Sequence, residues 1–277
     1  MKKSWIFSSM LALAFLFCLL PARNAQAANP QQVDLTGGSY YTNYDITGDG
    51  VNDTIQIRKD RDRYGYHTCR IIINGREAIR LTHEYSFYDA HVKLYTLQDG
   101  TVLAYVYLQG DNGDGPSGLY VYDNGRLREL LNFQTFFKYG MHNTGKVLKV
   151  SGNRLKVNYS SMSQAFALID MKYTYEYRNG TLHPTSKYGK IKIYKNYKYS
   201  RGQKVTARKS FWLYKNAVSS RKKIKVKKGQ TFKVMKCYVN GSKVRFQIKL
   251  TNGKKGWLKS PKKFLRRPLI KETMYAG

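Results

Sequence analysis

Hydrophobic and polar residues alternate along much of the chain with the period of two that is typical of β-strands. The clearest examples are residues 54–58, 155–159, 223–227 and 243–250. Beyond residue 27 the sequence has no comparable stretch with the period of 3.6 that predicts an amphipathic helix. We therefore predict a protein that is nearly all β.

Five Asn-Gly pairs lie between the alternating segments and predict tight hairpin turns. Both central residues of such a turn need a positive φ, which Asn and Gly adopt more readily than other residues. The first three pairs follow one another after 50 and then 55 residues. This spacing favours a repeated β unit such as the four-stranded blade of a propeller, although any hairpin-rich protein can produce similar matches. The pairs are Asn74-Gly75, Asn124-Gly125, Asn179-Gly180, Asn240-Gly241 and Asn252-Gly253.

The N-terminus has the features of a secretory signal. A lysine pair precedes an unbroken apolar run of 11 residues, 10–20, which is too short to cross a hydrocarbon core of roughly 30 Å. Ala25 and Ala27 supply the small residues that a signal peptidase requires. We predict a signal peptide over residues 1–27, with a retained membrane anchor as the alternative, and a mature protein outside the cytoplasm.

The basic charge of the chain is concentrated in its second half. The whole chain has a formal net charge of +32. Residues 28–184 hold 17 basic and 16 acidic side chains, whereas residues 185–277 hold 29 basic side chains and one acid, Glu272. Such an excess of positive charge increases electrostatic repulsion within the segment without stabilising its fold. It therefore indicates an anionic partner, with a highly solvated surface as the alternative.

The step in charge predicts a domain boundary near residue 185. We expect a β module over residues 28–184, either propeller-like or a sandwich. A Lys/Tyr-rich linker or edge strand follows over residues 185–204, then a small barrel over residues 205–267 and a tail over residues 268–277. Cys69 and Cys237 lie in different halves, and the sequence leaves open whether they are free thiols or a disulfide.

A short acidic loop before the first clear strand has the composition of a calcium site. Asp45, Thr47, Asp49 and Asp53 occupy loop positions 1, 3, 5 and 9, and Val51 at position 7 would contribute its carbonyl oxygen. Ca²⁺ takes six to eight oxygen ligands at about 2.3–2.6 Å, and odd spacing directs these oxygens inward around a tight turn. A surface turn without a metal is the alternative. A second, weaker candidate is the acidic loop 110–115.

The acidic loop and the strand that follows it resemble the calcium loops of FG-GAP and VCBS-type β-propeller repeats. That resemblance implies side-chain ligand roles for Asp45, Thr47, Asp49 and Asp53, and a structural Ca²⁺ ion. Three carboxylates drawn together repel one another unless a cation neutralises them, so a bound ion would fix the loop. The resemblance covers the loop, its strand and the weak repeat.

Residues 205–267 resemble a bacterial SH3 (SH3b) domain. The resemblance rests on four segments in order, which are residues 205–207, 211–215, 228–234 and 255–258. It implies a small five-stranded barrel that binds cell-wall components or peptides. Tyr214 and Trp257 are candidate aromatic residues of a binding groove, and each is equally well placed to be a core residue.

The lysines of the second half lie on the solvent side of the alternating strands, so they would form cationic sheets. We expect them to bind an anionic cell-wall polymer or peptidoglycan, with an anionic membrane surface as a further candidate. Nucleic acid is not favoured, because an exported protein rarely meets it. The expected ligand-binding lysines are Lys222, Lys223, Lys225, Lys227, Lys254 and Lys255.

The sequence offers little for catalysis. Cys69 with His67, His83 or His91 could imitate a Cys/His peptidase, but Cys69 begins an apolar strand, where a thiol is usually only buried. No G-x-S-x-G or H-E-x-x-H motif is present. We therefore expect a secreted, non-catalytic binding protein held at the bacterial cell wall. A wall hydrolase that uses Cys69 and an adhesin that binds through its N-terminal module are the alternatives.

Overall fold

The computed structural model describes residues 31–37, 39–111, 115–194, 204–262 and 267–273. These residues form 20 β-strands in three sheets and no helix, so the predicted all-β class is confirmed. They accordingly contain no helix with the length and hydrophobicity that crossing a membrane requires. The predicted signal, residues 1–27, lies outside the described residues.

The first two sheets are antiparallel meanders. The first consists of β2 (Tyr40–Tyr44), β3 (Asp53–Asp62), β4 (Gly65–Ile73) and β5 (Arg76–Phe87). The second consists of β6 (Asp89–Thr96), β7 (Val102–Gln109), β8 (Ser117–Asp123) and β9 (Arg126–Asn132), with β1 (Gln31–Asp34) paired to β6. Because β1 precedes the first sheet in sequence but pairs within the second, it ties the two together.

The third sheet has eleven strands and contains the rest of the chain. Its order begins β10-β11-β12-β14 and continues β18-β19-β20-β16-β17, while β13 pairs with β12 and β15 pairs with β18. The strands are β10 (Met141–Ser151), β11 (Arg154–Ser163), β12 (Ala167–Arg178), β13 (Thr181–Pro184), β14 (Tyr188–Ile193), β15 (Lys204–Thr206), β16 (Phe211–Tyr214), β17 (Lys222–Val226), β18 (Thr231–Asn240), β19 (Lys243–Leu250) and β20 (Lys255–Lys259).

Strand β14 differs from the linker or edge strand that we predicted over residues 185–204. It is hydrogen-bonded to β12 on one side and to β18 on the other, which makes it an interior strand. Ile193 is fully buried, and Gly189 permits close packing, since a Cβ there would lie 2.4 Å from the ring of Tyr173. The near-neutral and basic halves therefore share one sheet. Residues 195–203 of the predicted segment lie outside the described residues.

The second sheet is the middle layer of the molecule. Alternate residues of a strand point to opposite faces of a sheet, and here both faces are buried. Leu94 and Val106 pack in a core with the first sheet, whereas Leu103 and Tyr105 pack in a second core with the third sheet. The second core continues through the basic half as far as Ile270. It thus crosses the boundary that the charge step predicts.

The predicted tail is also packed where it is described. Ile270 is fully buried and bridges to Ala207, and the N–H of Leu269 donates to the carbonyl of Ala165 at 3.0 Å. Burial of two large apolar side chains holds this segment against the protein, at roughly 1.5–3 kcal/mol each. Residues 274–277 lie outside the described part.

Three of the five Asn-Gly pairs have the expected turn geometry. Asn74, Asn124 and Asn179 have φ values of 50°, 49° and 52°, and the glycine after each is also left-handed. Each pair joins the third and fourth strands of a four-stranded meander. In the pairs at 240 and 252 only the glycine has a positive φ. The closed propeller, the sandwich and the SH3-like barrel stay predictions.

Candidate functional site

The outward side chains of six neighbouring strands of the third sheet form a surface that we call the basic face. Their strands bury the alternate residues, such as Cys237, Phe246 and Leu258, in the second core, so the remaining residues face away from it. The basic face is defined by Tyr188, Lys190, Trp212, Tyr214, Lys222, Lys223, Lys225, Lys236, Tyr238, Arg245, Lys249, Lys255, Trp257 and Lys259.

The predicted ligand-binding lysines lie at one end of the basic face. Lys222, Lys223 and Lys225 are exposed on β17, an edge strand that pairs only with β16. Lys255 begins β20, and Nζ of Lys223 donates to its carbonyl oxygen at 3.4 Å. The structure thus brings the two groups of lysines together. Two more, Lys227 and Lys254, are exposed in the adjoining turns.

The two predicted groove aromatics have different surroundings. Tyr214 and Trp257 are direct cross-strand partners on β16 and β20. Trp257 is only 5% exposed and packs against Tyr188 and Tyr238, which places its indole in a small aromatic core. Tyr214 is half-buried, and Nζ of Lys259 lies 4.4 Å from its ring centroid.

Trp212 is the exposed aromatic residue at this end, although we did not predict it as a binding residue. Its side chain is 39% exposed. Nζ of Lys222 lies 5.3 Å and Nζ of Lys225 6.0 Å from its ring centroid, within the range of a cation–π contact. Only the register of β16 and β17, which pairs Trp212 with Lys225, reveals this arrangement.

A row of four residues crosses the middle of the basic face. Tyr188, Tyr238, Arg245 and Lys259 are successive cross-strand partners on β14, β18, β19 and β20. Nε of Arg245 is buried without a hydrogen-bond partner. Burial lowers the pKa of Arg245, and Tyr214 and Tyr238 oppose that change, but a guanidinium stays protonated at any physiological pH. The row therefore contains a fixed cation whose Nε–H group is buried and unpaired.

The acidic loop uses its carboxylates to hold its own backbone. Asp45 accepts hydrogen bonds from the N–H groups of Gly48 at 2.6 Å and Gly50 at 2.7 Å. Asp53 is 2% exposed and accepts from the N–H of Ile46 at 2.7 Å and from Nδ2 of Asn74 at 2.6 Å. These bonds fix the turn between β2 and β3.

The same bonds decide how well the loop fits Ca²⁺. Asp45, Thr47, Asp49 and Asp53 offer the hard oxygen donors that Ca²⁺ prefers, but each carboxylate has only about four lone-pair sites. Asp45 and Asp53 already use most of theirs on N–H groups of the loop and, for Asp53, on Asn74 in the turn between β4 and β5. Among the described residues, no group of three or more His, Cys, Asp or Glu is arranged to hold a metal. Calcium binding, including the carbonyl ligand of Val51, stays a prediction. Residues 112–114 of the second acidic loop lie outside the described residues.

Both cysteines of the described residues are buried free thiols, which settles the question that the sequence left open. Burial raises the pKa of Cys69 to about 12, with nearby Lys59 opposing the shift. Burial likewise raises the pKa of Cys237 to about 11, and hydrogen bonds with Tyr173 and Gly189 oppose that rise. A nucleophilic cysteine needs a thiolate near neutral pH, and neither environment provides one.

A cleft of about 950 Å³, which sequence reasoning missed, is lined by residues of the second and third sheets. One wall consists of residues of β6 and β7, including His91, Lys93 and Tyr107. The other consists of residues of β10 and β11, including Lys146 and Asn158. We call this the sheet cleft and define it by Gln32, His91, Lys93, Tyr95, Tyr105, Tyr107, Asp111, His142, Thr144, Gly145, Lys146, Val147, Asn158, Ser160, Met162 and Leu168.

Comparisons with protein-family models, with curated proteins and with solved structures find no match to the chain. Its function is therefore inferred from its own residues. Among the described residues, the basic face and the sheet cleft have features of a binding site, because each combines aromatic side chains with polar groups.

Proposed function

We propose that the protein is an exported, non-catalytic binding protein that the basic face holds at the bacterial cell wall by multivalent contacts with an anionic polymer. One observation carries the proposal. The cations of six adjacent strands share one surface, and that surface lies in a segment with 29 basic side chains and a single acid. The acid, Glu272, accepts a hydrogen bond from the N–H of Thr206 at 2.9 Å.

The small binding free energy of each exposed ion pair explains why so many cations are needed. Each exposed pair contributes about 0–1 kcal/mol, whereas micromolar binding requires about 8 kcal/mol. On the order of ten contacts must therefore act together. A repetitive polymer such as a teichoic-type wall polymer can supply them, since its charges recur along one chain. Peptidoglycan and an anionic membrane surface present anionic charge as well, and each is a comparison in the test.

Edge strand β17 suits contact with such a polymer. Lysines on an edge strand also discourage pairing with other sheets, so their presence alone has a structural explanation. That explanation does not extend to interior strands such as β14 and β19, which carry Lys190 and Arg245 on the same face. Anion binding accounts for both groups.

The remaining parts of the proposal come from the resemblances. The SH3b-like barrel, residues 205–267, would contribute the basic face apart from Tyr188 and Lys190 of β14. The FG-GAP- or VCBS-like module, residues 28–184, would be stabilised by Ca²⁺ at the acidic loop. The absence of an activated thiol at Cys69 supports a binding role over a wall hydrolase. Loss of turbidity of purified walls that depends on Cys69 would favour the hydrolase instead.

The test measures adsorption of the mature chain to purified walls, with and without teichoic acids, and to anionic vesicles, over a salt series. The intact chain is used because β14 is shared between the two halves. Replacement of Lys222, Lys223 and Lys225 by Gln should weaken adsorption and flatten its dependence on salt, since fewer counterions are released.

The matched control removes the same charge elsewhere, by replacing the exposed residues Arg126, Lys149 and Lys156 with Gln. Adsorption should change much less in this control. Adsorption that does not depend on salt, or an equal loss in the two triple variants, would contradict the proposed function.

A further inference from the structure

We propose that the sheet cleft is a second binding site, which takes a saccharide of more than one ring. The proposal concerns a different surface from the basic face and does not depend on the proposed function. The cleft would hold about 30 water molecules at the density of the liquid. Its volume lies near the upper end of the range for sites that take small ligands, about 300–1,000 Å³.

The first argument is an unused hydrogen-bond acceptor in the wall of the cleft. Asn158 is 4% exposed, and its Oδ1 atom has no hydrogen-bond partner. A buried polar atom without a partner calls for an explanation, such as an ordered water, an ion or a ligand. Asn158 lines the cleft, so this unpaired acceptor lies within its wall, and a ligand would pair with the oxygen once the side chains that cover it move.

The hydrogen bonds around Asn158 show that the free atom is the acceptor. The hydroxyl of Ser160 donates its single proton to Oδ1 of Asp170 at 2.6 Å. The serine oxygen must therefore accept from Nδ2 of Asn158, at 3.1 Å. Tyr194 donates to the other carboxylate oxygen of Asp170. This chain of bonds fixes the orientation of the amide and leaves Oδ1 as its atom without a partner.

The second argument is the aromatic surface of the opposite wall. His91 and Tyr107 are cross-strand partners on β6 and β7, and their rings are nearly parallel, with centroids 5.6 Å apart and an interplanar angle of 15°. Nε2–H of His91 donates a hydrogen bond to Oε1 of Gln109, at 2.7 Å, which fixes the imidazole. The stacked pair gives this side of the cleft an aromatic platform in which the outer face of a ring can pack against the C–H face of a sugar.

Several of the remaining groups of the cleft suit hydroxyl chemistry, and the exposed charged side chains Lys146 and Asp111 also line it. Nζ of Lys93 lies 2.8 Å from Oδ2 of Asp34, so its charge is already compensated. Burial, with Asp34 nearby, raises the pKa of Tyr95 to about 12, which keeps its hydroxyl protonated. Thr144 and Ser160 add hydroxyl groups. A sugar can donate and accept hydrogen bonds around its whole rim, which matches this mixed lining.

The test is isothermal titration of the mature chain with three neutral trisaccharides, tri-N-acetylchitotriose, cellotriose and maltotriose, and with trialanine as a peptide probe. Titrations in 0.15 M and 0.5 M NaCl separate the cleft from the basic face, since the binding of a neutral sugar should not depend on salt. We expect saturable binding of at least one trisaccharide at both salt concentrations.

Two variants link that binding to the cleft. Asn158→Ala removes the acceptor and Tyr107→Ala removes part of the platform, and each should weaken binding about tenfold or more. Tyr40→Ala, at a tyrosine that is 58% exposed on β2, is the matched control and should bind as the parent does. Melting curves verify that each variant is folded. No binding of any trisaccharide, binding of trialanine alone, or equal binding by folded Asn158→Ala and Tyr107→Ala variants would overturn the proposal.

Discussion

Gly189 on β14 lies directly opposite Cys237 on β18, at the step between the near-neutral and basic halves of the chain. The thiol of Cys237 donates to the carbonyl oxygen of Gly189, and the two atoms are 3.5 Å apart. The ring of Tyr173, from β12, covers the pair, with its hydroxyl 3.5 Å from the same sulfur. Residues from both halves therefore meet in one contact, and the halves should unfold together.

A side chain at residue 189 tests this contact. A Cβ in Gly189→Ala would lie 2.4 Å from the Tyr173 ring and 2.9 Å from Sγ of Cys237. We expect a loss of about 1–3 kcal/mol in the free energy of unfolding, measured by urea denaturation, with a single transition for the chain. Lys190→Ala, at the next and exposed position of β14, should change stability little. Two separate transitions in the parent would show that the halves are independent.

The two tryptophans of the basic half should respond in opposite ways to replacement by Ala. Trp257→Ala leaves a cavity in the aromatic core with Tyr188 and Tyr238, so we expect a loss of about 3–5 kcal/mol. Trp212→Ala removes an exposed side chain and should change stability by about 0.5 kcal/mol or less, while weakening adsorption to walls. Urea denaturation and the adsorption assay distinguish the two. Comparable destabilisation by both changes would mean that Trp212 is a packing residue.

The acidic loop allows calcium binding to be separated from the stability of the loop itself. We expect Ca²⁺ to raise the melting temperature of the parent and Asp49→Ala to abolish that rise. Asp53→Ala should destabilise the protein even in a chelator, by about 1–3 kcal/mol, because the buried carboxylate holds the N–H groups of Ile46 and Thr47. Differential scanning calorimetry measures both effects. If Ca²⁺ leaves the melting temperature of the unsubstituted protein unchanged, the acidic loop is not a calcium site.

The buried thiols predict an effect of alkaline pH on stability. Burial raises the pKa of Cys69 to about 12, from an ordinary value of 9.0. The native state therefore keeps the proton longer than the unfolded state does, and the free energy of unfolding should fall as the pH rises above about 9 and towards 12. In urea denaturation at pH 8–10, the free energy of unfolding of Cys69→Ala should fall less steeply with rising pH than that of the unsubstituted protein.

The same burial predicts low thiol reactivity. At pH 8, a disulfide reagent such as Ellman's should label neither Cys69 nor Cys237 in the native protein of residues 28–277, and should label both in urea. Rapid labelling of native Cys69 would contradict the burial and would revive the hydrolase alternative.

Periodicity and turn chemistry determined the strands of this protein, because both depend on residues close in sequence. The alternation in residues 243–250 and the positive φ of Asn74, Asn124 and Asn179 appear in the structure as predicted. The count of charges also located where the basic half begins. These features need no knowledge of which strands are neighbours.

Strand pairing decided the position of β14 in its sheet and the composition of both candidate sites. Whether residues 188–193 are an edge or an interior strand depends on β12 and β18, which lie before and after them in the chain. The row Tyr188, Tyr238, Arg245 and Lys259 and the sheet cleft likewise join residues that are far apart in sequence. A local pattern tells which side chains of one strand share a face, but only the register between strands places those side chains beside one another.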